Sequence, residues 1–354
     1  KEFAIWCGAE HAVALANGTL ALDMALKVLG IGPRDEVVVT PRTFLASVSC
    51  VVSAGASPVF AEVDANSQNI TAESIRAVLT PRTKAVICVH LTGWPCDMDP
   101  IMALAAEKGL YVIEDCAQAH GASYKGRPVG SIGHFGAWSF CQDKIMTTGG
   151  EGGMLTTNRR DCWEQAWAYK DHGKSWSAVY EKEHPPGFGF RWLHESFGTN
   201  GRMIEMQAAI GRIQLRRMVQ WHERRKDNAE RLAAVFSTVS GLRVPQPTVD
   251  VEHAWYKFYA FVRPEALTPG WSRDRIMAEV NAAGVPCYSG SCSEVYLEKA
   301  FDGTEWRPAQ RLAVAKALGE TSLMFLVHPT LSDEEIKKTG KVVAGVMGRV
   351  REIS

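Results

Sequence analysis

Lys144 is the residue in this sequence whose surroundings most favour chemistry. An apolar, strand-like run ends at Ser139, Lys144 follows five residues later, and glycines crowd residues 149–153. A lysine whose pKa is lowered by partial burial can form a Schiff base with an aldehyde. A surface lysine followed by a glycine turn would look the same, so this segment alone leaves both interpretations open.

Asp115 ends a second strand-like run, residues 111–115. In a parallel sheet, ligands bind outside the carboxyl ends of the strands. A carboxylate placed there can hold a protonated pyridine nitrogen and so make a cofactor ring an electron sink. Asp also caps helices well, and the strand alone does not separate these two roles.

Asn17-Gly18-Thr19 precedes a run of apolar residues with helical spacing, and Gly30 follows as a stop signal. The free N–H groups and the dipole of a helix start form a site for an anion such as phosphate. Ordinary capping of the helix explains the same residues. The anion-binding interpretation therefore depends on which other side chains lie near this helix start in the folded protein.

The elements that must position these residues alternate between strand and helix, which predicts an α/β fold with a mostly parallel sheet covered on both faces. The predicted strands are residues 36–40, 58–63, 85–90, 111–115, 135–140 and 153–156, and the predicted helices include residues 44–54, 72–79 and 100–108. A long helix is predicted over residues 206–236. A second lobe follows, with a strand at 256–262, a helix at 273–283 and a closing helix from residue 332. We therefore expect a large domain at residues 1–237 and a small α+β domain at residues 238–354.

The composition narrows the class of protein. The chain of 354 residues has 39 basic and 39 acidic residues, so it carries no electrostatic footprint for nucleic acid. No apolar run approaches the roughly 18 residues of a membrane span. Nine cysteines without a CxxC pair indicate reduced thiols and a cytoplasmic protein. Cys287 and Cys292 lack nearby His or Cys ligands, so no metal site is expected.

Motifs along nearly the whole chain match one family in the same order. They are Asn17-Gly18-Thr19-Leu20-Ala21-Leu22, residues 30–37, 55–60, 80–85, 89–91 and 113–115, the Lys144 segment, Asp171-His172-Gly173, and Asn200-Gly201-Arg202-Met203 with residues 207–211. In these motifs the chain resembles the sugar aminotransferases of the DegT/DnrJ/EryC1/StrS family, a branch of the fold-type I aminotransferases. The resemblance implies a seven-stranded, mostly parallel sheet between helices and a pyridoxal 5'-phosphate cofactor.

The resemblance also implies a role for each matching residue. Lys144 would form the Schiff base and shuttle the substrate proton, while Asp115 would hold the pyridine nitrogen. The other implied cofactor contacts are Gly18, Thr19 and Ser139 at the phosphate, Leu20 next to them in the sequence, Phe44 stacked on the ring, Gln118 near the ring hydroxyl, and Asn200 reaching the phosphate from the neighbouring subunit. The active site would therefore lie at a homodimer interface.

The implied reaction is transfer of an amino group from an amino acid, expected to be L-glutamate, to a keto or aldehyde group of a sugar. Such a reaction serves the biosynthesis of cell-surface polysaccharide, lipopolysaccharide or amino sugars. Residues 190–200 are similar to the branch that makes an 8-amino-3,8-dideoxy-octulosonate-type sugar. Alternatives are a nucleotide-linked keto-sugar as the acceptor, a dehydratase on the same fold, and a non-catalytic regulatory protein.

Several departures from the family pattern bear on the substrate. One additional glycine stands in the loop after Lys144, and residues 287–294 lack the family's histidine in the small domain. The pattern usually begins further upstream, so we expect an N-terminal strap before residue 1. Trp192 and His194 fall where a substrate-facing loop would lie. His172 matches a family loop, where it fits a structuring role as well as a substrate contact.

Overall fold

The structure, a computed structural model, describes residues 1–184, 187 and 191–350. Its helices are α1 (Glu2–Cys7), α2 (Gly18–Val28), α3 (Ala46–Ser53), α4 (Ala72–Arg76), α5 (Met98–Lys108), α6 (Arg160–Lys170), α7 (Trp176–Tyr180), α8 (Glu205–Phe236), α9 (Arg273–Ala282), α10 (Ala313–Thr321) and α11 (Asp333–Arg349). Its strands are β1 (His11–Leu15), β2 (Glu36–Val39), β3 (Ser57–Phe60), β4 (Thr83–Val89), β5 (Tyr111–Asp115), β6 (Ser123–Tyr124), β7 (Arg127–Pro128), β8 (Phe135–Ser139), β9 (Gly153–Thr157), β10 (Leu242–Arg243), β11 (Val251–Glu252), β12 (Phe258–Val262), β13 (Cys287–Tyr288) and β14 (Ser322–Phe325).

Within the described residues, a seven-stranded sheet has the order β1-β9-β8-β5-β4-β2-β3. Strands β8, β5, β4, β2 and β3 run parallel, while β9 is antiparallel to its neighbours β8 and β1. The register places Asp115 opposite Val89 on one side and Ala137 on the other. The carboxyl ends of β4, β5 and β8 therefore meet at one edge, where the ligands of such sheets bind.

Helices cover both faces of this sheet because its strands are apolar on both sides. Val37 and Val39 pack with α2 and α3 on one face. Val38 points to the other face and packs with α5. This arrangement confirms the predicted α/β fold with a mostly parallel sheet between helices.

The last third of the chain forms its own apolar core around an antiparallel sheet of order β10-β12-β14-β13. Helices α9 and α11 pack on it, and the end of α8 contributes Leu232 and Phe236 to the same core. The short strand β11 pairs with β6 and so joins the two parts of the chain. Among the described residues, no helix is both long enough and apolar enough to cross a membrane.

The predicted elements agree with the observed ones to within a few residues. The 111–115 strand is observed as Tyr111–Asp115, and the long helix begins one residue earlier than predicted, as Glu205–Phe236. The strand predicted to begin at Tyr256 begins at Phe258 instead. Residues 351–354 at the end of the predicted closing helix lie outside the described residues, as does residue 190, the first of the 190–200 segment.

Candidate active site

A cavity of about 950 Å³ opens at the carboxyl edge of the large sheet. Its wall contains most of the residues that the sequence analysis selected: Gly18, Thr19, Phe44, Asp115, Gln118, Ser139 and Lys144. These residues come from four separate segments of the chain. The parallel sheet brings them together because the segments follow strands that end at the same edge, or begin the helix that packs beside it.

The N-terminus of α2 forms one end of this wall. Asn17 caps the helix by accepting a hydrogen bond from the Leu20 N–H group at 2.8 Å. Gly18 approaches Ser139 so closely that an added Cβ would lie 2.6 Å from the serine Cβ. The first N–H groups of a helix lack partners within it. Those of Gly18 and Thr19 therefore stand beside the Ser139 hydroxyl as a cradle for an anion.

Asp115 ends β5 at the cavity with its carboxylate almost fully buried. One oxygen accepts a hydrogen bond from the Ala117 N–H group at 3.0 Å. The other accepts one from the Ser47 hydroxyl at 2.7 Å, and Ser47 in turn lies 2.9 Å from the Thr43 hydroxyl. Both oxygens are thus fixed by donors, which suits a carboxylate that must receive a proton-bearing group in a set direction.

Glu114, the preceding residue of β5, anchors the end of the strand through its side chain. Its carboxylate accepts hydrogen bonds from the Gly130, Ile132 and Gly133 N–H groups and lies 2.9 Å from Nε2 of His90. Burial would raise the pKa of Glu114, but the bond to His90 and the N–H donors outweigh it and hold the pKa below its ordinary value.

Glu114, His90 and Cys116 also place three possible metal-ligand atoms within 4.8 Å of one another. The contacts already made by this group explain it without a metal. Both oxygens of Glu114 are engaged, and Nδ1 of His90 accepts the Cys96 N–H group at 3.0 Å. We interpret the group as a structural brace under Asp115.

Lys144 reaches the cavity from the loop after β8, and only 17% of its side chain is exposed. Its Nζ lies 3.3 Å from the Asp143 carboxylate and 5.5 Å from the centre of the Tyr256 ring. The loop beyond it turns through Gly149, Gly150 and Gly152, which have φ values of 90°, 139° and 159°. These conformations favour glycine, so the additional glycine is accommodated without moving the amine out of the cavity.

Comparison with known proteins agrees with this geometry. The sequence pattern of the DegT/DnrJ/EryC1/StrS aminotransferase family matches residues 1–345. The chain belongs to this family. Its members are pyridoxal 5'-phosphate-dependent aminotransferases.

Individual relatives support the same assignment. The chain is 42% identical over 260 residues to the spore coat polysaccharide biosynthesis protein SpsC of Bacillus subtilis, a match over 73% of this chain and 66% of that protein. It is 35% identical to GDP-perosamine synthase of Caulobacter vibrioides, over 96% of this chain and 86% of that protein. The X-ray structure of an aminotransferase from Psychrobacter cryohalolentis is 62% identical, with a TM-score of 0.97 over 99% of this chain and 90% of that one.

The residues around the cavity of this aminotransferase fit pyridoxal phosphate. The cradle formed by Gly18, Thr19 and Ser139 suits the phosphate, because glycine and the helix start leave room and donors for an anion. The fixed carboxylate of Asp115 suits the pyridine nitrogen, and the amine of Lys144 suits the aldehyde. Gln118 accepts the Thr92 N–H group through Oε1 at 2.7 Å, which leaves its amide nitrogen to donate to a ligand. The Phe44 ring lines the cavity and is 71% exposed, so a face is available for stacking.

The other predicted residues of the aminotransferase do not line this cavity in the part of the chain that the structure describes. Leu20 follows Thr19 in the sequence, and its N–H group donates to the capping side chain of Asn17. Four of them lie outside the cavity: Asn200, His172, Trp192 and His194. Asn200 forms an isolated β-bridge with Asp171, and His172 has a φ of 60° in a turn. All four are exposed in the single chain.

Sequence reasoning missed several residues at the active site. Ser47, Asp143 and Tyr256 touch predicted residues directly, but Tyr256 lies more than a hundred residues from Lys144 in the sequence. The segment 287–294, which departs from the family pattern, contributes Tyr288, Gly290, Ser291 and Cys292 to the cavity wall. Asp143 could have been noticed as an acid next to the reactive lysine.

Proposed function

We propose that this aminotransferase transfers the amino group of an amino acid, L-glutamate, to a keto or aldehyde group of a sugar. One observation carries the proposal: Lys144, Asp115 and the start of α2 line a single cavity. The relationship to GDP-perosamine synthase and to a polysaccharide biosynthesis protein supports a sugar as the acceptor. The product would serve the biosynthesis of cell-surface polysaccharide or amino sugars.

When bound, pyridoxal phosphate supplies an aldehyde that exchanges amino groups and a ring that accepts an electron pair. Gly18, Thr19 and Ser139 bind the phosphate and so fix the position of the ring. Asp115 keeps a proton on the pyridine nitrogen, with Ser47 and Ala117 orienting its carboxylate. The amine of Lys144 moves the proton of the substrate as a general base and acid.

The acceptor is proposed to be a nucleotide-linked keto-sugar, because the relative of that type matches 96% of this chain. The octulosonate-type acid is the second candidate, favoured by the sequence of residues 190–200. The loop with Tyr288, Ser291 and Cys292 forms part of the cavity wall and lacks the family's histidine, so it is the segment expected to select among acceptors.

The decisive experiment begins with the enzyme reconstituted with pyridoxal phosphate. Borohydride reduction followed by peptide mapping should place the cofactor on Lys144, and Lys144→Ala should abolish the label. L-Glutamate should then convert the yellow absorbance band of the cofactor to that of its amine form. A label at another lysine would refute the assignment of Lys144. A band insensitive to amino acids would instead support a dehydratase or a non-catalytic protein.

A second step identifies the acceptor. The enzyme in its amine form is mixed with a panel of nucleotide-linked keto-sugars and an eight-carbon ulosonic acid bearing a terminal aldehyde. Mass spectrometry detects the amino sugar because the C=O group of the acceptor becomes CH–NH2, and the absorbance band of the aldehyde form returns. Conversion of the ulosonic acid alone would overturn our choice of a nucleotide-linked acceptor.

We also propose that the enzyme is a homodimer in which Asn200 of one subunit completes the site of the other. Two observations support this: Asn200 is exposed outside its own cavity, and the first half of α8 exposes apolar side chains. This exposed apolar face comprises Met206, Ile210 and Ile213, with exposures of 71%, 38% and 47%. Exposed apolar surface of this extent on a helix is typical of a subunit interface.

Mixed dimers test this arrangement. Lys144→Ala and Asn200→Ala should each be inactive, but refolding them together should restore about a quarter of the activity, since half of the dimers are mixed and each holds one intact site. Ile213→Glu should give monomers by mass photometry, whereas Val249→Glu, an exposed apolar residue outside this face, should not. No recovery in the mixture would mean that Asn200 acts within its own chain.

Two further assignments are proposals of the same kind. We place the domain boundary at the end of α8, with residues 1–237 in the large domain and 238–354 in the small one, because α8 ends at Phe236 and the first strand of the C-terminal sheet begins at Leu242. We place the enzyme in the cytoplasm, because all nine cysteines are unpaired.

A further inference from the structure

Asp143 stands between the catalytic amine and a tyrosine from the far part of the chain. Its Oδ1 lies 3.3 Å from Nζ of Lys144, and its Oδ2 accepts a hydrogen bond from the Tyr256 hydroxyl at 2.6 Å. The amine also lies 5.5 Å from the centre of the Tyr256 ring. Among the described residues, Asp143 is the only acid within ion-pairing distance of Lys144. None of these contacts belongs to the cofactor cradle.

Tyr256 is held firmly enough to orient the carboxylate. The residue is 7% exposed, and its N–H group donates to the Thr92 carbonyl at 2.9 Å. Arg225 donates to the carbonyls of Trp255 and Tyr256 at 3.2 and 3.4 Å. Burial, together with the bond to Asp143, raises the pKa of the Tyr256 phenol, so it remains a neutral donor. This donor therefore keeps its hydrogen bond to Asp143 across the working pH range.

Among the described charged groups around Lys144, Asp143 is the one in contact with the amine. Burial would raise the pKa of Asp143, but the Tyr256 hydroxyl and the Lys144 charge outweigh it, so Asp143 stays ionised. Burial lowers the pKa of His120 to about 3, so this ring is neutral. The Nζ of Lys257 lies 4.8 Å from the centre of the Tyr256 ring, and the Glu151 carboxylate accepts a hydrogen bond from the Cys141 thiol at 3.6 Å.

We propose that Asp143, oriented by Tyr256, is a positioning residue that holds the ammonium group of Lys144 at the cavity wall whenever the lysine is free of the cofactor. The inference rests on the proposed role of Lys144. In each half-reaction the lysine amine is released, takes up a proton and gives it back. A free lysine side chain samples many rotamers, so a fixed carboxylate raises the fraction of time in which the amine is placed to transfer a proton. Tyr256 ties this carboxylate to the segment leading into β12.

The test uses full-length enzyme saturated with pyridoxamine 5'-phosphate, which leaves the lysine amine free. Lys144 is labelled with a limiting amine acylating reagent at pH 8, and the label is measured by peptide mass spectrometry relative to exposed Lys84. The contact with Asp143 holds the amine against the cavity wall, and its loss frees the lysine side chain to reach the reagent. Asp143→Asn should therefore speed the labelling of Lys144 by about threefold, the scale of a half-exposed ion pair. Tyr256→Phe should speed it less, and Asp143→Glu should stay near wild type.

Asp161→Asn is the matched control, because it removes an aspartate of another ion pair, with Arg159, far from the cavity. It should leave the labelling of Lys144 unchanged. In turnover, Asp143→Asn should lower kcat several-fold with little change in KM for the amino donor, with kcat calculated per cofactor-loaded site so that misfolded protein is not counted. Wild-type labelling of Lys144 in both Asp143→Asn and Tyr256→Phe would overturn the proposal. Failure of the proposed function would appear separately, as borohydride labelling of a different lysine.

Discussion

Asp115 depends on Ser47 for the position of one of its two carboxylate oxygens. Ser47 lies on the first turn of α3, in a different segment from β5, and its hydroxyl is almost fully buried. A hydrogen bond to a charged group contributes more than one between neutral groups. The direction of the carboxylate, and with it the placement of a protonated ring nitrogen, is thus set by a serine that carries no chemistry of its own.

Replacing this serine tests the dependence. Ser47→Ala should lower kcat/KM by about tenfold, or about 1.4 kcal/mol, since Asp115 loses a donor in a buried site. Steady-state kinetics with L-glutamate measure the change. Ser53→Ala, an exposed serine on the same helix, should have no effect. An unchanged kcat/KM in Ser47→Ala would show that the Ala117 N–H group suffices to fix Asp115.

At the scale of elements, the start of α2 is the part of the fold that makes phosphate binding possible. The helix packs against β8 and β9, and its first residue touches the last residue of β8. Gly153 at the start of β9 is equally close, because an added Cβ would lie 2.3 Å from the Asn17 carbonyl oxygen. Glycine at these contacts lets helix and strands approach until the free N–H groups stand beside the Ser139 hydroxyl.

Gly18→Ala should therefore weaken cofactor binding. The new methyl group meets Ser139 and pushes the helix start away, so the dissociation constant for pyridoxal phosphate should rise about tenfold. Absorbance titration of the cofactor-free enzyme measures it. Gly32→Ala, whose nearest contact is at an ordinary 3.7 Å, is the matched control and should bind normally. Equal affinities in the two variants would rule out the cradle.

At the scale of the whole molecule, two buried histidines make stability depend on pH. His120 and His253 are fully buried, and burial lowers the pKa of each from 6.5 to about 3. The unfolded chain takes up these protons below pH 6.5, whereas the folded chain does not until about pH 3. Stability therefore falls as the pH drops through this range, by about 1.4 kcal/mol per pH unit for each histidine.

His120→Phe should remove one of these two contributions. The ring lies against Trp138 and Phe140, with centroid distances of 5.3 and 5.7 Å, so an aromatic replacement keeps the packing. The decrease in Tm between pH 7.5 and pH 5.5 should be smaller than in the wild type by about 2–3 °C. Scanning fluorimetry at fixed protein concentration measures it, with the exposed His194→Phe as the control. An identical decrease in both variants would mean that His120 is already protonated in the folded state.

Much of the large sheet could be predicted from the sequence, because strands buried on both faces read as short apolar runs bounded by turns. The strand at residues 111–115 illustrates this. The long helix was also predictable, because its apolar residues keep a helical spacing over residues 206–236. The two-residue strands β6, β7, β10, β11 and β13 could not be predicted. They are too short to show a period and form only because a partner strand is already in place.

The sequence by itself determined the chemical groups of the active site, since Lys144, Asp115 and the start of α2 stand at the ends of local elements with recognisable patterns. Only the tertiary structure decided which side chains hold these groups in place. Ser47 reaches Asp115 from 68 residues away and Tyr256 reaches Asp143 from 113 residues away. The physical reason is that local patterns record propensity and burial, whereas a hydrogen bond between distant segments depends on how the sheet, the helices and the C-terminal part pack together.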